Sequence, residues 1–149
     1  MDQFKKHQAI ILSTWVIFLA VSIIGSGYYA FHANDEGILF ITNDDLYDLL
    51  FPISVTYGSY LGAILVAYFT KPISASFYSA EKDSYYFYLA LILTIGFNLI
   101  INYFVYRSYF VDDPDLIKDF NKLEDIALWF SFMVAPVNLF YFGVRVRES

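Results

Sequence analysis

Long stretches without a charged residue alternate along this chain with short stretches crowded with them. Uncharged, mainly apolar runs extend from Ala9 to Phe31, from Leu49 to Thr70, from Ser84 to Tyr106 and from Ile126 to Val144. At about 1.5 Å per residue, a helix over each run reaches roughly 28–35 Å, which matches a hydrocarbon core of about 30 Å. The runs are solidly apolar and do not alternate, which excludes a β-barrel, and a lone spanning segment satisfies its own backbone only as a helix. The pattern predicts an all-α integral membrane protein with four transmembrane helices in an antiparallel bundle, as a single domain over residues 1–149.

Composition agrees with lipid as the solvent. Of 149 residues, 58% are hydrophobic and only 16% charged, against roughly 45–50% and 25% in soluble domains. Mean hydropathy is +0.52. Aromatic residues, 21% of the chain, gather at the ends of the runs. Tyr28, Tyr29, Tyr47 and Phe51 flank one loop, Tyr103, Tyr106, Tyr109, Phe110 and Trp129 another, and Tyr68, Phe69, Tyr85, Tyr86, Phe140 and Tyr141 the opposite side. Rings with a polar tip favour the headgroup level, so an interfacial belt accounts for much of this content.

Loop charges set the expected orientation. Lys5, Lys6, Lys71, Lys82, Arg145 and Arg147 fall on one side, and only Arg107, Lys118 and Lys122 on the other. The positive-inside rule puts the first set in the cytoplasm. The expectation is therefore a plasma (inner) membrane protein with both termini cytoplasmic. The basic start Met1–Lys6 precedes an apolar run too long for a signal h-region, so the first segment reads as a retained span. The small residues Gly25-Ser26-Gly27 are followed at once by Tyr28 and Tyr29, which does not suit a cleavage site.

The loops carry further signals. Asn34-Asp35-Glu36-Gly37 is a turn signature, and Gly37–Thr42 is an apolar run too short to span. Asn43-Asp44-Asp45 is expected to cap a short helix through Tyr47, Leu49 and Leu50, with Pro52 early in the second span. In the second outer loop, Pro114 precedes Leu116, Ile117, Phe120 and Leu123 at helical spacing, with Lys118, Asp119, Lys122 and Glu124 on the other face. That pattern predicts a short amphipathic helix lying near the outer surface. The two hairpins share an acidic outer loop but no residue-level repeat.

Several chemistries are excluded or disfavoured. There is no cysteine, and the net charge of −6 argues against a nucleic-acid partner. No P-loop, dinucleotide fingerprint, His-Glu-x-x-His or nucleophile elbow occurs. His7 and His32 fall on opposite sides of the membrane and read as solvated or interfacial residues that share no metal. The acid groups Asp44-Asp45 with Asp48 and Asp112-Asp113 with Asp115 lack the spacing of an EF-hand and read as solvated loop acid. No cofactor is expected, and Arg107 reads as a residue snorkelling to the headgroups.

Two polar features remain inside the spans. Thr94, Asn98 and Asn102 stand four apart on the third span, with Tyr106 continuing the stripe; Asn138 and Pro136 lie on the fourth. An amide in hydrocarbon needs a partner, so this cluster reads first as interhelical hydrogen bonding, with Asn138 as one partner, and second as the lining of a polar path or ligand site. Ser54, Gly58 and Gly62 form a small-residue face on the second span, suited to close helix packing; Ser22 and Ser26 on the first span have the same spacing and offer it a mate. No acidic or basic residue occupies the centre of a span, which lowers the case for an ion-coupled transporter.

The expected function is a non-enzymatic polytopic membrane subunit that oligomerises, or that anchors, regulates or senses for a partner protein. The alternative is a small oligomeric channel lined by the polar residues of the third span. The topology has a direct check. A cysteine placed at Asp45 or Asp115 should react with an impermeant thiol reagent from outside intact cells; labelling only after permeabilisation would reverse the orientation.

Overall fold

The computed structural model describes residues 3–31, 43–70, 80–110 and 123–142. They form four helices: α1 (Gln3–Phe31), α2 (Asn43–Thr70), α3 (Ala80–Phe110) and α4 (Leu123–Phe142). Three contain stretches long and apolar enough to cross a membrane: Lys5–Tyr28, Tyr85–Tyr106 and Asp125–Phe142. In α2 the apolar stretch Leu50–Val66 is shorter, although the helix around it runs for 28 residues. The loop 32–42 with His32, the amphipathic helix expected before residue 123, and Asp112, Asp113 and Asp115 lie outside the described residues.

The helices overrun the apolar stretches that mark them in the sequence. Asn43-Asp44-Asp45 opens α2 itself and not a separate short helix, so Pro52 stands well inside α2. Acids in a first turn suit the positive end of the helix dipole, which explains why the helix begins there. Pro52 is buried and Pro136 exposed, and each removes one backbone bond from its helix.

Each helix packs against two others: α1 against α2 and α3, and α4 against α2 and α3. The cyclic order is therefore α1–α2–α4–α3, with α2 facing α3 and α1 facing α4 across the centre. Buried positions recur at the steps of a packed helical seam, as in Ile53, Tyr57, Leu61 and Ile64 of α2, or Ala127, Val134 and Tyr141 of α4. An aromatic group fills the middle. The Trp15 ring lies 5.8 Å from Tyr57, 5.5 Å from Tyr60 and 5.7 Å from Phe97, and Tyr60 meets Phe97 edge-on at 5.5 Å.

The outer surface inverts the soluble pattern. Ile24 is 70% exposed, Leu139 72% and Trp129 79%, while Ser22, Thr94 and Asn98 are fully buried. Soluble monomers rarely expose contiguous apolar area on this scale. Helices that are apolar all round, with their polar side chains turned inward, suit a lipid surround.

Gly25 lies beneath the Tyr106 side chain of α3. The Tyr106 hydroxyl donates to the Val21 carbonyl at 2.6 Å, and its ring covers Gly25 so tightly that a Cβ there would lie under 3.0 Å from three ring and hydroxyl atoms. Gly25 thus has a packing role, whereas Gly27 has nothing within 4 Å of a Cβ position. Gly25→Ala should cost about 1–3 kcal/mol by overpacking. In a Tyr106→Ala background the same change should be nearly neutral, as a thermal-melt double-mutant cycle in detergent would measure.

Candidate polar site inside the bundle

The third-span stripe turns into the bundle. Thr94 and Asn98 are fully buried and Asn102 is nearly so. The reason lies in their shared period: positions four apart on α3 fall on one face, the face that also carries Phe97, Ile101 and Val105 into the core.

Asn102 is the hub. Its amide oxygen accepts from the Ser22 hydroxyl of α1 at 3.0 Å. Its amide nitrogen donates to the Tyr57 hydroxyl of α2 at 2.9 Å and to the Asn98 carbonyl at 3.0 Å. Both amide protons and the oxygen are thus engaged, and one side chain ties three helices. Tyr57 is long enough to reach α3 across the centre. Ser22 also approaches the Phe18 carbonyl at 3.0 Å, and Ser26 donates to the Ser22 carbonyl at 2.8 Å.

Asn98 behaves differently. Its nitrogen donates to the Thr94 carbonyl of its own helix at 2.8 Å, and its oxygen has no hydrogen-bond partner. The Asn138 oxygen also has none. The two amides are therefore not bonded to each other, which corrects the expected Asn98–Asn138 pairing. Phe132, whose carbonyl Pro136 leaves without its usual donor, is exposed like Pro136 itself. That break lies on the outward side of α4, away from the cluster.

The cytoplasm-facing end expected from the charges holds a second tie. Gln8 donates to the Tyr141 carbonyl of α4 at 2.6 Å. His7 is 8% exposed and stacks on Phe87 at 3.9 Å, which corrects the solvated alternative in its reading as a solvated or interfacial residue. The helix begins at Gln3 and carries both side chains into the packed interior, and length alone did not reveal this.

The small-residue face of α2 points the other way. Ser54, Gly58 and Ser59 are exposed and Gly62 partly so. Nothing lies within 4 Å of where a Cβ would stand on Gly58 or Gly62. Ser22 bonds to Asn102 of α3, and Ser26 bonds back to its own helix, so the expected mating of these serines with the α2 face is not seen. The glycines at close helix contacts are Gly25 and Gly96, the latter with the Met133 methyl 3.2 Å from a Cβ position. Sequence spacing favoured Gly58 and Gly62 because the four-residue step was regular. Gly25 and Gly96 carry no such step and were missed.

Among the described residues, no group of His, Asp and Glu is placed to hold a metal ion. Comparison with models of known protein families, with characterised proteins and with solved structures finds no match.

If the Asn102 hub holds the helices together, Asn102→Leu should cost about 1–3 kcal/mol, since interhelical bonds in membranes average about 0.6 and reach about 1.7 kcal/mol. Tyr57→Phe should cost less, and the two changes together should cost less than their sum. Additive losses in a double-mutant cycle would remove the hub from the account.

Proposed function

We propose that this chain is a non-enzymatic subunit of the plasma (inner) membrane, an antiparallel four-helix bundle with both termini cytoplasmic. It docks through the Ser54–Gly58–Gly62 face of α2 onto a second copy or a partner subunit. The observation that carries this reading is the open space over Gly58 and Gly62, together with the exposure of Ser54 and Ser59. Lipid tails give no hydrophobic drive for helix association, so a smooth small-residue face gains most from another helix packed directly on its backbone.

The antiparallel arrangement is supported by the register of the contacts. His7 meets Phe87 and Ser22 meets Asn102, so α1 and α3 run in the same sense. Gln8, early in α1, meets Tyr141, late in α4, which sets those two helices in opposite senses. The channel reading has less support. A pore between copies needs its polar lining on the subunit surface, whereas Thr94, Asn98 and Asn102 lie inside one bundle.

The test is substitution of the docking face. Gly58→Leu and Gly62→Leu should leave the melting temperature of the isolated bundle within about 2 °C, because neither position packs within the chain. They should also reduce the mass of the particle purified in mild detergent, or release a co-purifying subunit. Unchanged association in both variants would remove this face from the proposal.

A further inference from the structure

Each of the four helices sends at least one polar atom into the bundle that no other protein group meets. They are Trp15 Nε1 on α1, Thr56 Oγ1 on α2, Thr94 Oγ1 and Asn98 Oδ1 on α3, and Asn138 Oδ1 on α4. The residues on the first three helices are at least nine-tenths buried. A buried donor or acceptor without a partner is costly in water-soluble cores and more so in hydrocarbon, where nothing else can supply the bond. Five such atoms turned into one small bundle point to something that serves them.

Their chemistry narrows what that is. The indole N–H of Trp15 only donates, the amide oxygens of Asn98 and Asn138 only accept, and the threonine hydroxyls do both. A cation would leave the indole unserved, and an anion would leave the amide oxygens unserved. No carboxylate, lysine or arginine is buried among the described residues to balance an ion's charge. A small neutral molecule that both donates and accepts suits the whole set. Water is the smallest, and buried water commonly makes about three bonds to groups of this kind.

Placement supports a shared location for the central members. Trp15 packs on Phe97, the neighbour of Asn98, and on Tyr57, the neighbour of Thr56. Thr94 and Asn98 occupy one turn of α3, and the bond from Asn98 to the Thr94 carbonyl leaves the amide oxygen turned away from it. Next along the helix stands Asn102, whose amide is saturated by protein. The stripe therefore divides in two: Asn102 bonds helix to helix, and the Thr94–Asn98 turn does not.

We infer that the bundle interior binds water along the Thr94–Asn98 turn of α3, the turn that also carries Phe97, the ring on which Trp15 packs. These waters complete the hydrogen bonding that the four helices leave open. This site does not depend on the docking face of α2.

Two measurements test the inference. Thr94→Val keeps the side-chain shape and deletes the hydroxyl. With water bound there, the substitution strands a bridge and should lower Tm by roughly 2–6 °C, while Thr94→Ser should lose less. A dry hydroxyl would instead give an unchanged or higher Tm in the valine variant, and that result overturns the inference. The second measurement is X-ray radiolytic footprinting of the wild-type protein in nanodiscs, in which bound water generates radicals that oxidise adjacent rings. Trp15, fully buried from the outside, should be oxidised, and several-fold less so when Thr94→Val and Asn98→Leu are combined. An unoxidised Trp15 in the wild type overturns the site even if the valine variant melts lower or fails to fold.

Discussion

A primary amide buried among apolar helices is costly unless it is paired, and the alignment of three helices in this bundle follows from how Asn102 finds its bonds within the protein. Its oxygen takes the Ser22 hydroxyl from α1 and its nitrogen reaches the Tyr57 hydroxyl from α2. Neither partner can be far away or at another depth, so one side chain fixes the relative height of three helices. Apolar packing alone would tolerate sliding by a turn, because neighbouring turns of Ile, Leu and Phe are nearly equivalent to lipid. Directional bonds are not equivalent, and a slip of one turn would break the bonds that join the amide to the serine and to the tyrosine.

Other contacts are arranged around the same alignment. Tyr106 stands one turn beyond Asn102 on α3, and its hydroxyl bonds the Val21 carbonyl beside Ser22. That approach requires a residue without a side chain at Gly25. Toward the other end, the Trp15, Tyr57, Tyr60 and Phe97 rings fill the centre, and Gln8 ties α1 to α4 through Tyr141. Polar bonds thus bridge both diagonals of the bundle, from Asn102 to Tyr57 and from Gln8 to Tyr141. The polar residues hold a specific arrangement in place, and the apolar surface meets the surround.

That division bears on function. A membrane enzyme or ion-coupled transporter needs reactive or ionisable groups that substrate can reach. In this chain the polar stripe of α3 lies inside a single bundle, away from its surface. What the bundle leaves open is the backbone-level surface of α2 at Gly58 and Gly62, and this is why a docking subunit is the reading put forward.

The sequence by itself determined the four helices, three of which are long and apolar enough to cross a membrane. Four uncharged runs with aromatic ends allow few other structures, because hydrocarbon demands internally bonded backbone over a fixed length. It also marked Thr94, Asn98 and Asn102 as a stripe, since residues four apart share a helix face. The partners of that stripe were not legible. Asn138 was the natural mate by residue type, yet the bonds go to Ser22 and Tyr57, because which helices become neighbours, and at what relative height, depends on the packing of all four. The same reason reversed the reading of the glycines. Spacing identifies a smooth face but not its direction, and only the tertiary structure decided that Gly58 and Gly62 look outward while Gly25 lies beneath Tyr106.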